Sequence, residues 1–504
     1  MTSHPHRAEA HRPLSHADVR NVFYGLMLAM FLSALNQTIV ATALPTIGRE
    51  FGDFENLSWV IISYLLSSTV VSPLYGKLSD IHGRRTMMLV ALGLFVAGSA
   101  AAAVAPNMAM LILGRTLQGI GGGGIVPLTQ TTVADMITPR ERGRYQAYMG
   151  TSWIVAGTLG PAAGGILAEY WHWSIIFWLN VPLGLFAALL THRAMKRLPR
   201  HHRPHKLDLV GAVLMVAAST VFLIALTSGG TRVGWFSAPI FVLMAISLAL
   251  VLALLWWLRQ APEPFLPLTV MRHPVMRKGT AATSWTMGAV LGLTVYMPLY
   301  FQVVHKLTVT EAGLALIPIV VMTTPGSMVS GQSMMRLTHY KISAIVGGIV
   351  ATLAVTALAW WPAMPLWGVV IVLFAVGFGA GTIYPTATVS IQNAVPMHQV
   401  GTATGAMNFF RALGSTLAVA IMGAILLAGI GATPERGAGV ELMVATAGAS
   451  GIDMAAVFRW VFVAADVFLV LALIAVLQLE ERPLRGPSVK APPLSPDTPP
   501  APAE

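Results

Sequence analysis

Apolar residues in this chain come in long, nearly unbroken blocks separated by short polar stretches. A helix needs about 20 mostly apolar residues to cross a hydrocarbon core. Blocks of that length recur near 22–45, 58–78, 85–105, 108–133, 145–168, 174–193, 208–228 and 236–258. Six more follow near 279–303, 311–334, 342–361, 366–390, 400–428 and 457–478. The pattern predicts an all-α membrane protein with fourteen spanning helices. If the N-terminus lies inside, the inner segments hold 24 of the 31 Lys and Arg residues and the outer segments hold 5, while Arg115 and Arg411 fall within spans. Excess Lys and Arg marks the cytoplasmic side of a membrane, so both termini are expected there. One missed span would break the alternation, which favours an even number.

Composition agrees with one large bilayer-embedded bundle. Charged residues make up 10% of the 504 positions, against about 25% in soluble proteins, and the mean hydropathy is +0.70. The net charge of +11 suggests a nucleic-acid partner only until its location is considered. The basic residues sit in small clusters between spans, so none is expected. There is no cysteine, which excludes disulfides and thiolate metal sites. The first twenty residues lack a short apolar core with a small-residue cleavage site, so no removable signal peptide is expected. The histidines there (His4, His6, His11, His16) read as a solvated tail. No phosphate-cradling Gly-Lys-Ser/Thr loop is present, and no catalytic constellation or cofactor site stands out. Neither an enzyme nor a direct ATP user is indicated.

The chain divides into a cytoplasmic tail (1–20), six helices (21–193), a basic loop with two inserted helices (194–260), six further helices (261–480) and a Pro-rich tail (481–504). The stretch from Pro483 onward is expected to be disordered, and the long outer loop at 429–456 to be mobile. The turn at 76–85 has a degraded counterpart at 331–341, in the matching place of the second six-helix set. Weak internal symmetry of this kind is typical of transporters.

The turn between spans two and three reads Gly76-Lys77-Leu78-Ser79-Asp80-Ile81-His82-Gly83-Arg84-Arg85. Gly76 and Gly83 permit close helix approach at a bend. Asp80 can pair with Arg84 or with the basic loop at Arg140–Arg144, and Asp135 ends span four nearby. Such a cluster could latch two halves in one state and release them in another; a plain positive-inside loop is the other reading. Span four carries Arg115-Thr116-Leu117-Gln118-Gly119, and an arginine at that depth is expensive unless it faces a polar interior. In span five, Gly160 and Gly164 form a close-packing face, Pro161 favours a kink, and Gly157 and Gly165 extend the small-residue run. Next come Trp171-His172-Trp173 and Asn180-Val181-Pro182-Leu183-Gly184, and span thirteen adds Asn408-Phe409-Phe410-Arg411-Ala412-Leu413-Gly414-Ser415.

On these motifs, over roughly residues 20 to 480, the chain resembles the fourteen-span drug:proton antiporters of the major facilitator superfamily, the EmrB/QacA type. The resemblance implies two pseudo-symmetric six-helix bundles plus two central helices. It assigns a conformational latch to Gly76, Asp80, Gly83, Arg84, Arg85, Asp135 and Arg144. Proton transfer falls to Arg115, and Gly157, Gly160, Pro161, Gly164 and Gly165 form the motif that marks exporters. It further implies multidrug efflux from a bacterial cytoplasmic membrane, with small molecules, protons and the lipid bilayer as partners. An accessory periplasmic adaptor is left unidentified. Two departures stand out: His172 replaces an arginine, and Asn36 stands where the family usually keeps an aspartate. Asparagine cannot exchange a proton, so coupling is carried elsewhere or the substrates are less cationic. Asp466, the only acid deep in a span, is the candidate replacement; a neutral packing role competes with it. Asn36, Gln37, Thr38, Gln118, Asn408 and Arg411 are expected to line a substrate cavity. The competing functions are a dedicated exporter of one metabolite or siderophore, a membrane-embedded enzyme and a non-transporting sensor.

Overall fold

The computed structural model describes residues 16–53, 56–197, 208–229, 233–431 and 452–484. Expectations about residues 1–15, most of the basic loop, most of the long outer loop and the end beyond residue 484 fall outside that set. Fourteen helices long and apolar enough to cross a membrane are present among the described residues, and they form no β-sheet. The first six are α1 (His16–Phe51), α2 (Trp59–His82), α3 (Arg84–Ala103), α4 (Met108–Met136), α5 (Pro139–Tyr170) and α6 (Ile175–Ala194). The inserted pair is α7 (Leu209–Ser228) and α8 (Ala238–Gln260). The last six are α9 (Pro274–Val303), α10 (Val309–Arg336), α11 (Ile342–Trp360), α12 (Leu366–Ala394), α13 (Val400–Gly429) and α14 (Met454–Leu477).

Local chemistry explains where these helices start and break. The Asn107 side chain accepts the N–H of Met110 at the start of α4, and Asp453 accepts those of Ala455 and Ala456 at the start of α14. Each satisfies a donor that the first helical turn leaves without a partner. Thr308 and Glu311 form a reciprocal capping box at the start of α10. That helix is interrupted, with pieces at Val309–Leu314, Ile317–Val321 and Thr323–Arg336. Pro318 and Pro325 lie just after the two breaks, where each removes a backbone donor and crowds the preceding turn.

Helices α1 to α6 pack among themselves, chiefly α3 on α4, α1 on α5 and α2 on α4. Helices α9 to α14 form a second group, led by α11 on α12 and α9 on α13 and α14. The groups meet where α2 lies along α13 and α5 along α10. The glycine run at 121–124 lets α4 press closely on its neighbours. A Cβ at Gly121 would fall 2.2 Å from the Phe95 nitrogen, and one at Gly123 2.2 Å from the Ser68 oxygen.

The inserted helices pack on each other, and α7 leans on α2 and α13. Asp208 ties this hairpin to the chain that follows it. Its carboxylate accepts the N–H of Gly211, the Trp257 indole N–H and the N–H of Phe265. The start of α1 and the end of α14 share one face, called the terminal face below. There the chain stays attached further than its proline content suggests. Leu484 is buried with Met334, Tyr340 and Val389, and the Pro483 carbonyl accepts from Asn393.

Candidate functional site

The turn between α2 and α3 closes the terminal face. Gly83 adopts a φ of +86°, a backbone conformation that favours glycine, and the reversal brings Arg84 back beside Asp80. Arg84 Nη1 donates to Asp80 Oδ1 at 2.6 Å and Arg84 Nε to Asp135 Oδ2 at 2.8 Å. The arginine is thus held between two carboxylates. Asp80 also reaches the other helix group. Its Oδ1 accepts the N–H of Gly401 at 3.2 Å, and its Oδ2 accepts both the N–H and the hydroxyl of Thr402 at 2.8 Å. Those N–H groups belong to the first turn of α13, where donors lack intrahelical partners and the helix dipole favours negative charge. Gly76 allows the approach, since a Cβ there would meet the Gly401 oxygen at 2.4 Å.

Two other residues of the expected latch lie apart from this cluster. Arg85 pairs with His192 of α6 at 3.0 Å. Arg144 donates to Tyr148 Oη at 2.8 Å, one turn along its own helix.

A second polar cluster is sealed inside the first six helices. Arg115 is 1% exposed. Its Nε donates to the Val60 carbonyl, its Nη1 to Gln118 Oε1 at 2.6 Å, and its guanidinium lies 4.4 Å from the centre of the Tyr64 ring. Gln118 Nε2 donates onward to Asn36 Oδ1 and Ser99 Oγ, and Asn180 Nδ2 also donates to Asn36 Oδ1. Asn36 and Gln118 are fully buried, and Asn36 Nδ2 is a buried donor with no acceptor. The guanidinium is therefore balanced by amide oxygens, a carbonyl and an aromatic face, with no carboxylate among the described residues. Gln37 is half-buried and donates weakly to the Ser33 carbonyl on its own helix.

A third cluster joins the two groups of helices. Asn408 Nδ2 donates to Gln130 Oε1 at 2.7 Å, Gln130 Nε2 to Tyr384 Oη at 2.5 Å, and Arg411 Nη2 to Asn408 Oδ1 at 2.9 Å. Arg411 Cζ lies 5.0 Å from the centre of the Tyr384 ring.

On α5, Gly160 and Gly164 face α1. A Cβ at Gly160 would meet Thr38 Oγ1 at 2.0 Å, and one at Gly164 would meet the Ile39 carbonyl at 2.4 Å. Thr38 donates to the Ala156 carbonyl across the same seam. Gly157 and Gly165 have no such neighbour, and Pro161 is exposed. Asp466 accepts from Thr356 of α11 at 3.0 Å, and its Oδ1 is buried without a partner. In the connection after α9, His305 Nε2 contacts Tyr300 Oη, and burial holds its imidazole below the usual range. Trp285 stacks on Phe468 and so faces α14.

Residues that close these clusters carried little signal in the sequence. Gln130 is one of a run of polar residues (Thr129-Gln130-Thr131-Thr132) and Tyr384 is flanked by threonines, so neither stands out, and Thr402 looks like any small residue at a span start. Asn180 lies in a noted motif, yet its partner becomes visible only when α6 meets α1.

Residues 26–419 match the model of the Major Facilitator Superfamily. A transporter of the acurin A biosynthesis cluster from Aspergillus aculeatus is 34% identical over 418 residues, covering 80% of this chain and 74% of that one. Multidrug resistance protein 3 of Bacillus subtilis is 30% identical over 413 residues, covering 81% and 80%. Among solved structures, the human organic anion transporter MFSD10 superposes with a TM-score of 0.60 at 16% identity, covering 90% of this chain and 99% of that chain.

Proposed function

The chain belongs to the major facilitator superfamily as a fourteen-span membrane transporter of small molecules, and from that premise we propose that it exports amphiphilic compounds in exchange for protons. The observation that carries this reading is the Asp80 cap on α13. It holds the two groups of helices together at the terminal face, and further close contacts between them, such as Gly143 with Gly331 and Gln130 with Tyr384, lie toward the same face. Breaking a charge-assisted contact of this kind requires a compensating event, which substrate and proton binding would supply. The centre then alternates between the two sides. The excess of Lys and Arg on the terminal face supports a cytoplasmic location for it. Export is supported by the exporter-like seam at Gly160 and Gly164 and by the names of relatives such as the Bacillus protein. Arg115 and Asp466 are the residues assigned to coupling.

A second reading is a dedicated exporter of one metabolite. Asn36 favours it, because a buried, neutral amide replaces the acid that would meet cationic drugs, and the Aspergillus relative belongs to a biosynthesis cluster.

The test uses purified protein in sealed vesicles, with dye and antibiotic transport followed under an imposed pH gradient. Transport should collapse when a protonophore is added. Flux indifferent to the gradient would exclude antiport, and flux of a single compound out of a broad panel would select the second reading.

A further inference from the structure

The cluster that joins the two groups of helices has a direction, set by its arginine. A guanidinium has five donors and no acceptor, so the Asn408 atom facing Arg411 Nη2 must be its oxygen. The Asn408 nitrogen then points away, donating to Gln130 Oε1 and to the Thr404 carbonyl. Gln130 in turn has only its nitrogen left, which donates to Tyr384 Oη. The tyrosine oxygen is an acceptor in this contact, so its own hydrogen is directed elsewhere. Because Arg411 lies over the Tyr384 ring, the two ends of the relay meet at one place.

Each amide oxygen already accepts one hydrogen bond, whereas Arg411 Nε is buried with no acceptor and the Tyr384 hydroxyl hydrogen has no acceptor among the described residues, so the groups left without a partner there are donors. No carboxylate pairs with Arg411 among the described residues. Asp466, the one acid midway along a spanning helix among the described residues, is engaged with Thr356 on α11 instead. A cationic group at this depth is expensive without a counter-charge, and a relay with donors at both ends suits an incoming anion.

We infer that this cluster is the binding site for an anionic group, carboxylate or sulfonate, on an otherwise apolar substrate. The inference rests on the reading above that the space between the two helix groups is the transport route. Tyr384 of α12 and Arg411 of α13 would hold the anion, and Gln130 of α4, bonded to Tyr384 and Asn408, ties that pair to the first group. The anion also engages the helix whose first turn Asp80 caps.

Equilibrium binding tests this without any gradient. Full-length protein in nanodiscs of phosphatidylcholine is titrated with 8-anilino-1-naphthalenesulfonate and with its uncharged counterpart N-phenyl-1-naphthylamine, and empty nanodiscs correct for partition into lipid. The sulfonate should bind more tightly than the neutral compound. Arg411→Gln should weaken the sulfonate roughly 10- to 100-fold, the usual range for a hydrogen bond to a charged group, and leave the neutral probe unchanged. Arg411→Lys should recover part of the loss, because charge remains while the planar fork is gone. Tyr384→Phe, which keeps the ring, should give a smaller loss confined to the sulfonate. Equal affinity of the wild type for both probes would overturn the proposal, as would a parallel loss of both in these variants. Failure of antiport would appear instead in vesicle flux and would leave this binding difference intact.

Discussion

Asp80 Oδ2 accepts the backbone N–H and the hydroxyl of Thr402, each at 2.8 Å, so a carboxylate from the first group of helices caps a helix of the second. The two residues are 322 positions apart in sequence. Arg84 holds the carboxylate in place from the other side, and on the proposed alternating mechanism this cap would be made only while the terminal face is shut.

Asp80→Asn keeps the shape of that contact while removing its charge. Charge-assisted hydrogen bonds contribute about 1.5–3 kcal/mol, so the closed state should lose roughly ten- to a hundredfold in population. Because the chain has no cysteine, a pair introduced at the exposed His82 and Met397 can carry spin labels without background. Their distance distribution should broaden toward longer separations in Asp80→Asn. An unchanged distribution would mean that Asp80 does not latch this face.

The seam between α1 and α5 should discriminate among its glycines. Gly160→Ala places a methyl group on Thr38 Oγ1, and such overpacking typically costs about 1–3 kcal/mol. Gly157→Ala and Gly165→Ala meet nothing within 4 Å and should be tolerated. Thermal unfolding of the purified variants reads the first effect, and vesicle flux reads its consequence. Adding Thr38→Ala to Gly160→Ala should restore part of both.

Asn36 offers a test of the sealed cluster around Arg115. Asn36→Asp supplies two acceptors where Gln118 and Asn180 already donate, and it removes a buried donor that has no partner. Its thermal stability should equal or exceed that of the wild type at neutral pH. Asn36→Leu strips the shared acceptor and should lower stability by about 1–3 kcal/mol. The reverse order would place the cluster's balance elsewhere.

Asp466→Asn separates coupling from packing. An amide can still accept from Thr356, so the contact between α11 and α14 should survive. If the carboxyl carries the proton, gradient-driven transport should fall while substrate counterflow, which needs no net proton movement, persists. Loss of both activities together would assign the residue to structure.

The helix plan was legible along the chain. Fourteen apolar blocks were expected near the positions where the fourteen helices lie, because spanning a hydrocarbon layer depends on local length and apolarity alone. Asn107 and Asp453 start helices for an equally local reason, the unsatisfied N–H groups of a first turn. Some of the contacts that the motifs suggested are present. Asp80 and Arg84 do pair, and Gly160 and Gly164 do press on α1.

What each polar residue meets was decided by tertiary structure. A bilayer helix is apolar nearly all round, so its hydropathy pattern carries little information about which face turns toward which neighbour. Hence Asn36 and Gln118, expected along a cavity, are sealed inside one helix group, while Gln130 and Tyr384 connect the two groups across 254 positions. Sequence alone determined that this is a membrane protein of fourteen spanning helices and roughly where each one lies, to within a few residues of its ends. Only the rotation and docking of those helices decided that Asp80 would cap α13 and that Arg411 would stand without an acid, since both depend on contacts between distant segments that no local pattern encodes.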